Sequence, residues 1–145
     1  MALRDLMIKD ITSLPLTASA LDAAKFMADM NVGSVLVMKD NSPSGFLTDR
    51  DIVTKVLAQG KDPKTTKISE IMVAPVVTIS EDKGIFDVIR LMSTNGIRRV
   101  PVVDSNGKLV GFIALDDVLV LLGQEMQNIA MALKAELGIF QEGLS

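Results

Sequence analysis

Apolar positions along this chain alternate between two periods. Over residues 21–30 they fall at 21, 24, 27, 28 and 30, one face of a helix, with Ser19 placed to cap it. Residues 34–38 form a short apolar run that predicts a strand, 41–44 a polar turn, 46–48 a second strand and 49–58 a second helix. Residues 60–67 are polar, include Pro63 and read as a linker. The same order then returns: a helical turn at 68–72, a strand at 76–79, a helix at 85–92 and strands at 100–103 and 109–114. Asn106-Gly107, between the last two, is the strongest hairpin signal in the chain. Beyond Gly123, residues 125–137 carry a helical stripe of Met126, Ile129, Ala130, Leu133 and Leu137, ended by Gly138.

The return is a repeat in residues as well as in pattern. A shift of 65 pairs Leu3 with Ile68, Met7 with Met72, Asp22 with Asp87, Met27 with Met92, Val32 with Ile97 and Val37 with Val102. One extra residue in the second hairpin makes the shift 66, pairing Gly45 with Gly111, Phe46 with Phe112 and Asp51 with Asp117. The chain therefore divides into a first repeat at 1–65, a second at 66–124 and an amphipathic C-terminal helix and tail at 125–145.

Composition removes several classes of chemistry. With no Cys and no His among 145 residues, a disulfide framework, a Cys/His zinc site and a histidine base are excluded. A domain of this length buries roughly 68–70% of its unfolded surface and folds without staples. A net charge of −3, scattered basic residues and the absence of Trp and Tyr speak against nucleic acid. No apolar run reaches the roughly 18 residues of a membrane span, and the charged first ten residues do not read as a signal peptide. The expectation is a soluble, cytoplasmic protein.

The chemistry sits where each repeat turns from strand into helix, GFLTDRD at 45–51 and GFIALDD at 111–117. A helix N-terminus presents free backbone N–H groups and favours an anion. Thr48 stands at the cap position, where its hydroxyl can donate to a phosphate, and Asp51 can accept from both hydroxyls of a ribose set aside from it. The plainer alternative is that Thr48 caps the helix and Asp51 complements its dipole.

The doubled motif, glycine, apolar, any residue, Thr or Ser, two further residues and aspartate, within a repeat of strand, helix, strand, hairpin strand and helix, closely resembles the CBS domain, named after cystathionine β-synthase. Two in tandem resemble a Bateman module. The resemblance implies an α/β (α+β) fold of β-α-β-β-α repeats packed through their sheets about a pseudo-twofold axis, with two clefts between them that in many members bind AMP, ADP, ATP or S-adenosylmethionine. By the same resemblance the stronger cleft combines Thr48, Asp51, Lys67, Met72, Ile97, Arg98 and Arg99, with one of the two arginines facing the ligand if that stretch is extended. The weaker cleft has Val32, Ala114 and Asp117, with Ala114 in place of the hydroxyl and Asp116 adding negative charge.

These readings favour a regulatory module that senses an adenine nucleotide, AMP first, has no obligatory cofactor or metal and performs no catalysis. There is no nucleophile with a base, and Gly60-Lys61 lacks the Ser/Thr of a P-loop. The alternative is a dimerisation or docking module with empty clefts. A homodimer is expected from the helix faces and the tail stripe, together with an unidentified regulated protein.

Overall fold

The computed structural model describes residues 3–138. Two units follow the same order: β1 (Ser13–Pro15), α1 (Ala20–Met30), β2 (Ser34–Lys39), β3 (Ser42–Thr48) and α2 (Asp49–Ile52), then β4 (Ile79–Ser80), α3 (Ile85–Asn95), β5 (Arg99–Val103), β6 (Leu109–Ala114) and α4 (Leu115–Leu137). Each unit has a three-stranded sheet, β1-β2-β3 or β4-β5-β6, with the first pair parallel and the second antiparallel. This is the expected doubled β-α-β-β-α fold.

Local chemistry explains the helix starts. Ser19 Oγ accepts from Asp22 N at 3.0 Å while Asp22 Oδ2 accepts from Ser19 N at 3.2 Å, a reciprocal cap. At α3, Gly84 N donates to Asp87 Oδ2 at 2.9 Å, the backbone half of the same device. α1 ends at Asn31 and α3 at Gly96, both left-handed, with φ of 55° and 62°.

Four expected elements differ. The first hairpin turns at Asp40-Asn41, with Asp40 at φ 56°, instead of 41–44; Pro43 is accommodated within edge strand β3, beside a bulge at Val37/Met38. The strand expected at 76–79 is reduced to Ile79–Ser80. The helix expected at 49–58 is α-helical only to Ile52 and then widens into a π turn, Val53–Leu57. Thr54 Oγ1 takes the Arg50 carbonyl at 2.8 Å, and the ladder resumes one residue wider, Ala58 N to Val53 O. Finally, α4 runs unbroken through Gly123, so the tail helix is not a separate element.

Val35, Val37 and Leu47 face α1 and α2 in one core; Val100, Val102 and Ile113 face α3 and α4 in the other. The segment that leads each repeat packs in the opposite core. Ile68 and Ile71 are buried with the first unit, and Leu3 with the second. Val73 exchanges backbone bonds with Phe46 at 2.8 and 2.9 Å, and Ile8 does so with Phe112 at 2.9 Å. The motif glycines permit this approach, since a Cβ at Gly45 would lie 2.7 Å from Met72 Sδ and 2.8 Å from the Val73 carbonyl oxygen.

Candidate functional site

Strand alternation gives each sheet a second face, turned away from its own core. On β2 and β3 that face carries Ser34, Leu36, Phe46 and Thr48, with Ser34 opposite Thr48 and Leu36 opposite Phe46. On β5 and β6 it carries Arg99, Pro101, Phe112 and Ala114, with Arg99 opposite Ala114 and Pro101 opposite Phe112. The two faces meet. Leu36 is only 2% exposed yet belongs to neither core, and Leu109 N donates to Asn41 O at 2.9 Å across the junction.

Two adjoining cavities lie along this junction and share Ser34, Phe46 and Arg99. The inner one, about 230 Å³, is a largely apolar slot walled by Ile11, Val32, Leu36, Phe46, Pro101 and Phe112, with Asp10 and Thr12 at its edge. The outer one, about 510 Å³, is a wider mouth where the polar side chains of Ser34, Thr48, Arg98, Arg99 and Asp116 gather beside Phe46, Ile97 and Ala114. An apolar slot opening on a few convergent polar groups is the usual form of a small-molecule site.

At the mouth, Thr48 caps α2. Its Oγ1 lies 3.2 Å from Asp51 N, from which it accepts, and 3.1 Å from Asp51 Oδ2, to which it donates. Asp51 Oδ2 also accepts from Thr48 N at 2.9 Å, and Oδ1 is 3.1 Å from Lys55 Nζ, which also donates to Ile71 O at 3.1 Å. The Asp51 side chain is 12% exposed. Of its approximately four acceptor positions three are taken, so one remains while Lys55 stays in place.

The arginines differ. Arg98 Nη2 is 3.0 Å from Asp116 Oδ1, but both side chains are at least three-quarters exposed, and a solvated pair of this kind contributes little. The Arg99 guanidinium has no hydrogen bond or ion pair among the described residues. The alternation expected of an extended stretch does not separate the two, because β5 begins only at Arg99; both line the mouth.

Thr48, Ile97, Arg98 and Arg99 are thus brought together. Ala114, assigned from sequence to a second cleft, shares their mouth, and Val32 lies in the adjoining slot. Asp51 stands behind Thr48. Lys67 is exposed, its backbone bridging to Ser19, and Met72 packs on Gly45 and the first core; neither lines the two cavities. Asp117 lines a separate shallow concavity with Asp5, Leu6, Ile8, Val120, Leu121 and Gln124. Sequence reasoning missed Ser34, Phe46 and Phe112. Their signal was the non-core phase of alternating strands, which carries meaning only once another sheet covers it.

Among the described residues no group of three acidic side chains is placed to hold a metal, and no helix is long and apolar enough to cross a membrane.

The CBS domain matches residues 3–58 and again 68–123. An uncharacterised protein of Methanopyrus kandleri is 38% identical over 135 residues, 92% of this chain and 66% of that protein. Among solved structures, the CBS domain pair of protein MJ0100, in complex with 5-methylthioadenosine and S-adenosyl-L-methionine, is 30% identical with a TM-score of 0.68, covering 86% of this chain and 98% of that one. The cytosolic domain of the Mg²⁺ channel MgtE, in complex with ATP, is 26% identical with a TM-score of 0.71, covering 83% of this chain and 48% of that one. With both repeats matched and the doubled fold shared, this chain belongs to the CBS domain family.

Proposed function

We propose that the chain is a regulatory sensor of an adenosine ligand bearing phosphate, AMP first, with no chemistry of its own. The observation that carries this reading is the apolar slot between Phe46 and Phe112 opening directly on Thr48, Ser34 and Arg99. A purine is held by apolar and aromatic walls, and a phosphate by the Ser34 hydroxyl and the Arg99 guanidinium; the Thr48 hydroxyl joins them only by turning its proton away from Asp51 Oδ2. The solved neighbours that hold methylthioadenosine with S-adenosylmethionine, or ATP, support the adenosine class. The two cationic groups at the mouth favour AMP, ADP or ATP over S-adenosylmethionine, whose sulfonium is itself positive. The carboxylates near the mouth serve a helix cap and an arginine, which supports binding without catalysis.

Thermal unfolding of the chain with AMP, ADP, ATP, S-adenosylmethionine and methylthioadenosine tests this, since a ligand of the native state raises Tm by mass action. The phosphate-bearing ligands should stabilise wild type, and Arg99→Gln should lose most of that shift. Equal shifts from methylthioadenosine and AMP, unchanged in Arg99→Gln, would remove the phosphate from the proposal. Incubation with ATP should show no turnover.

The second reading, a docking or dimerisation module, is favoured by the exposed apolar side chains Val53, Leu57, Phe86, Leu119 and Val120 on the helical faces. A homodimer is compatible with both readings.

A further inference from the structure

Among the described residues, the half of α4 beyond Gly123 has no partner in its own unit. Leu115, Val118 and Leu122 pack toward the second core, whereas residues 123–133 are all exposed. Met126, Ile129, Leu133 and Leu137 are 66%, 62%, 55% and 60% exposed. At 3.6 residues per turn, Leu122, Met126, Ile129, Ala130, Leu133 and Leu137 fall within an arc of about 100°, and this arc continues the face that the first turns of α4 bury. The core-facing side of the helix thus runs off the edge of its unit into solvent.

We infer that this overhang pairs with the same overhang of a second copy of the chain, as an antiparallel twofold helix pair centred between Ile129 and Ala130. The spacing of the six positions reads the same in both directions. Reversal about that centre places Met126 of one chain opposite Leu133 of the other, Leu122 opposite Leu137 and Ile129 opposite Ala130. An apolar side chain meets an apolar side chain at every level, as an isologous contact requires. A parallel pair in register is blocked, because the space facing the stripe below Leu122 is already filled by the helix's own unit. In the antiparallel pair Leu122 instead lies at the level of Leu137, the last residue of the partner helix.

The two stripes bury roughly 1,000–1,200 Å² together, the lower edge of what a specific interface needs. Glu125 and Glu136 of the two chains share a flank of the pair, so the dimer is reversible and not obligate. The inference is independent of the ligand reading, since the overhang and the sheet junction share no residue.

Sedimentation equilibrium of the full chain at micromolar concentration should show twice the 15.6 kDa chain mass. Ile129→Glu, at an exposed position that leaves the fold and its circular dichroism unchanged, should raise the dimer dissociation constant at least about tenfold by placing an unpaired charge in the contact. Because the protein has no cysteine, direction can be read by disulfide trapping. Met126→Cys mixed with Leu133→Cys should form a disulfide between the two variants under mild oxidation, while each alone should not, its own sulfurs being about 10 Å apart along the axis. A monomer at that concentration, a dimer unaffected by Ile129→Glu, or cross-linking of each variant with itself overturns the proposal.

Discussion

Asp51 already has work in the unliganded protein, holding the start of α2 and pairing with Lys55. Substitution there therefore has two effects that two variants can separate. Asp51→Asn keeps an oxygen for the Thr48 N–H and removes the charge, whereas Asp51→Ala also leaves the Thr48 N–H without its acceptor, a hydrogen bond worth about 0.5–1.5 kcal/mol of stability. If the carboxylate receives a ribose, both variants should weaken AMP binding at least about tenfold in calorimetry, since a hydrogen bond to a charged group contributes about 1.5–3 kcal/mol. Only Asp51→Ala should lower Tm appreciably. Asp117→Ala, on the opposite motif and outside the sheet junction, should leave AMP affinity within about twofold of wild type. A loss confined to Asp117→Ala would reverse the assignment of the two motifs. Thr48 and Asp51 stood out in the sequence because a doubled motif marks them; the bonds that occupy them did not, since Lys55 meets Asp51 only after the helix has formed.

At the scale of elements, the apolar periods located α1 to α4 and the four long strands, while the ends moved where a single side chain or a neighbouring strand decided them. Gly123 looks like a boundary because glycine disfavours helix, but nothing lies within 4 Å of a Cβ placed there and its backbone is helical. Gly123→Ala should consequently stabilise the protein by roughly 0.8–1.0 kcal/mol, the helix-interior difference between the two residues, seen as a higher Tm. A fall in Tm would mean that the helix bends or breaks at Gly123 in solution. The π turn after Ile52 has a comparable local origin in the Thr54 hydroxyl, yet no periodicity of apolar residues reports it.

For the whole molecule, the repeat in sequence and the unit of packing are different objects. Leu3 is 1% exposed within the core of the second unit, so Leu3→Ala should destabilise the protein by about 2–5 kcal/mol although it lies at the start of the first repeat. Denaturant unfolding followed by amide exchange should find the lost protection centred on β5 and β6. Loss centred on β2 and β3 instead would contradict the exchanged packing. The same exchange explains the glycine that opens both motifs, which no local turn requires. It is needed because the lead segment of the other repeat crosses directly over it.

The sequence by itself determined the doubled fold, its helices and main strands, and the place of the motif, because these depend on periods of 3.6 and 2 and on capping residues that act over a few positions. Tertiary structure alone decided that Ser34, Phe46 and Phe112 line a junction, that Ala114 shares a mouth with Thr48 while Asp117 does not, and that Lys67 and Met72 stand outside it. Each of those outcomes depends on which sheet face meets another and which lead segment crosses over. Contacts between residues far apart in the chain, such as Phe46 with Val73 or Ile8 with Phe112, leave no trace in local period or composition.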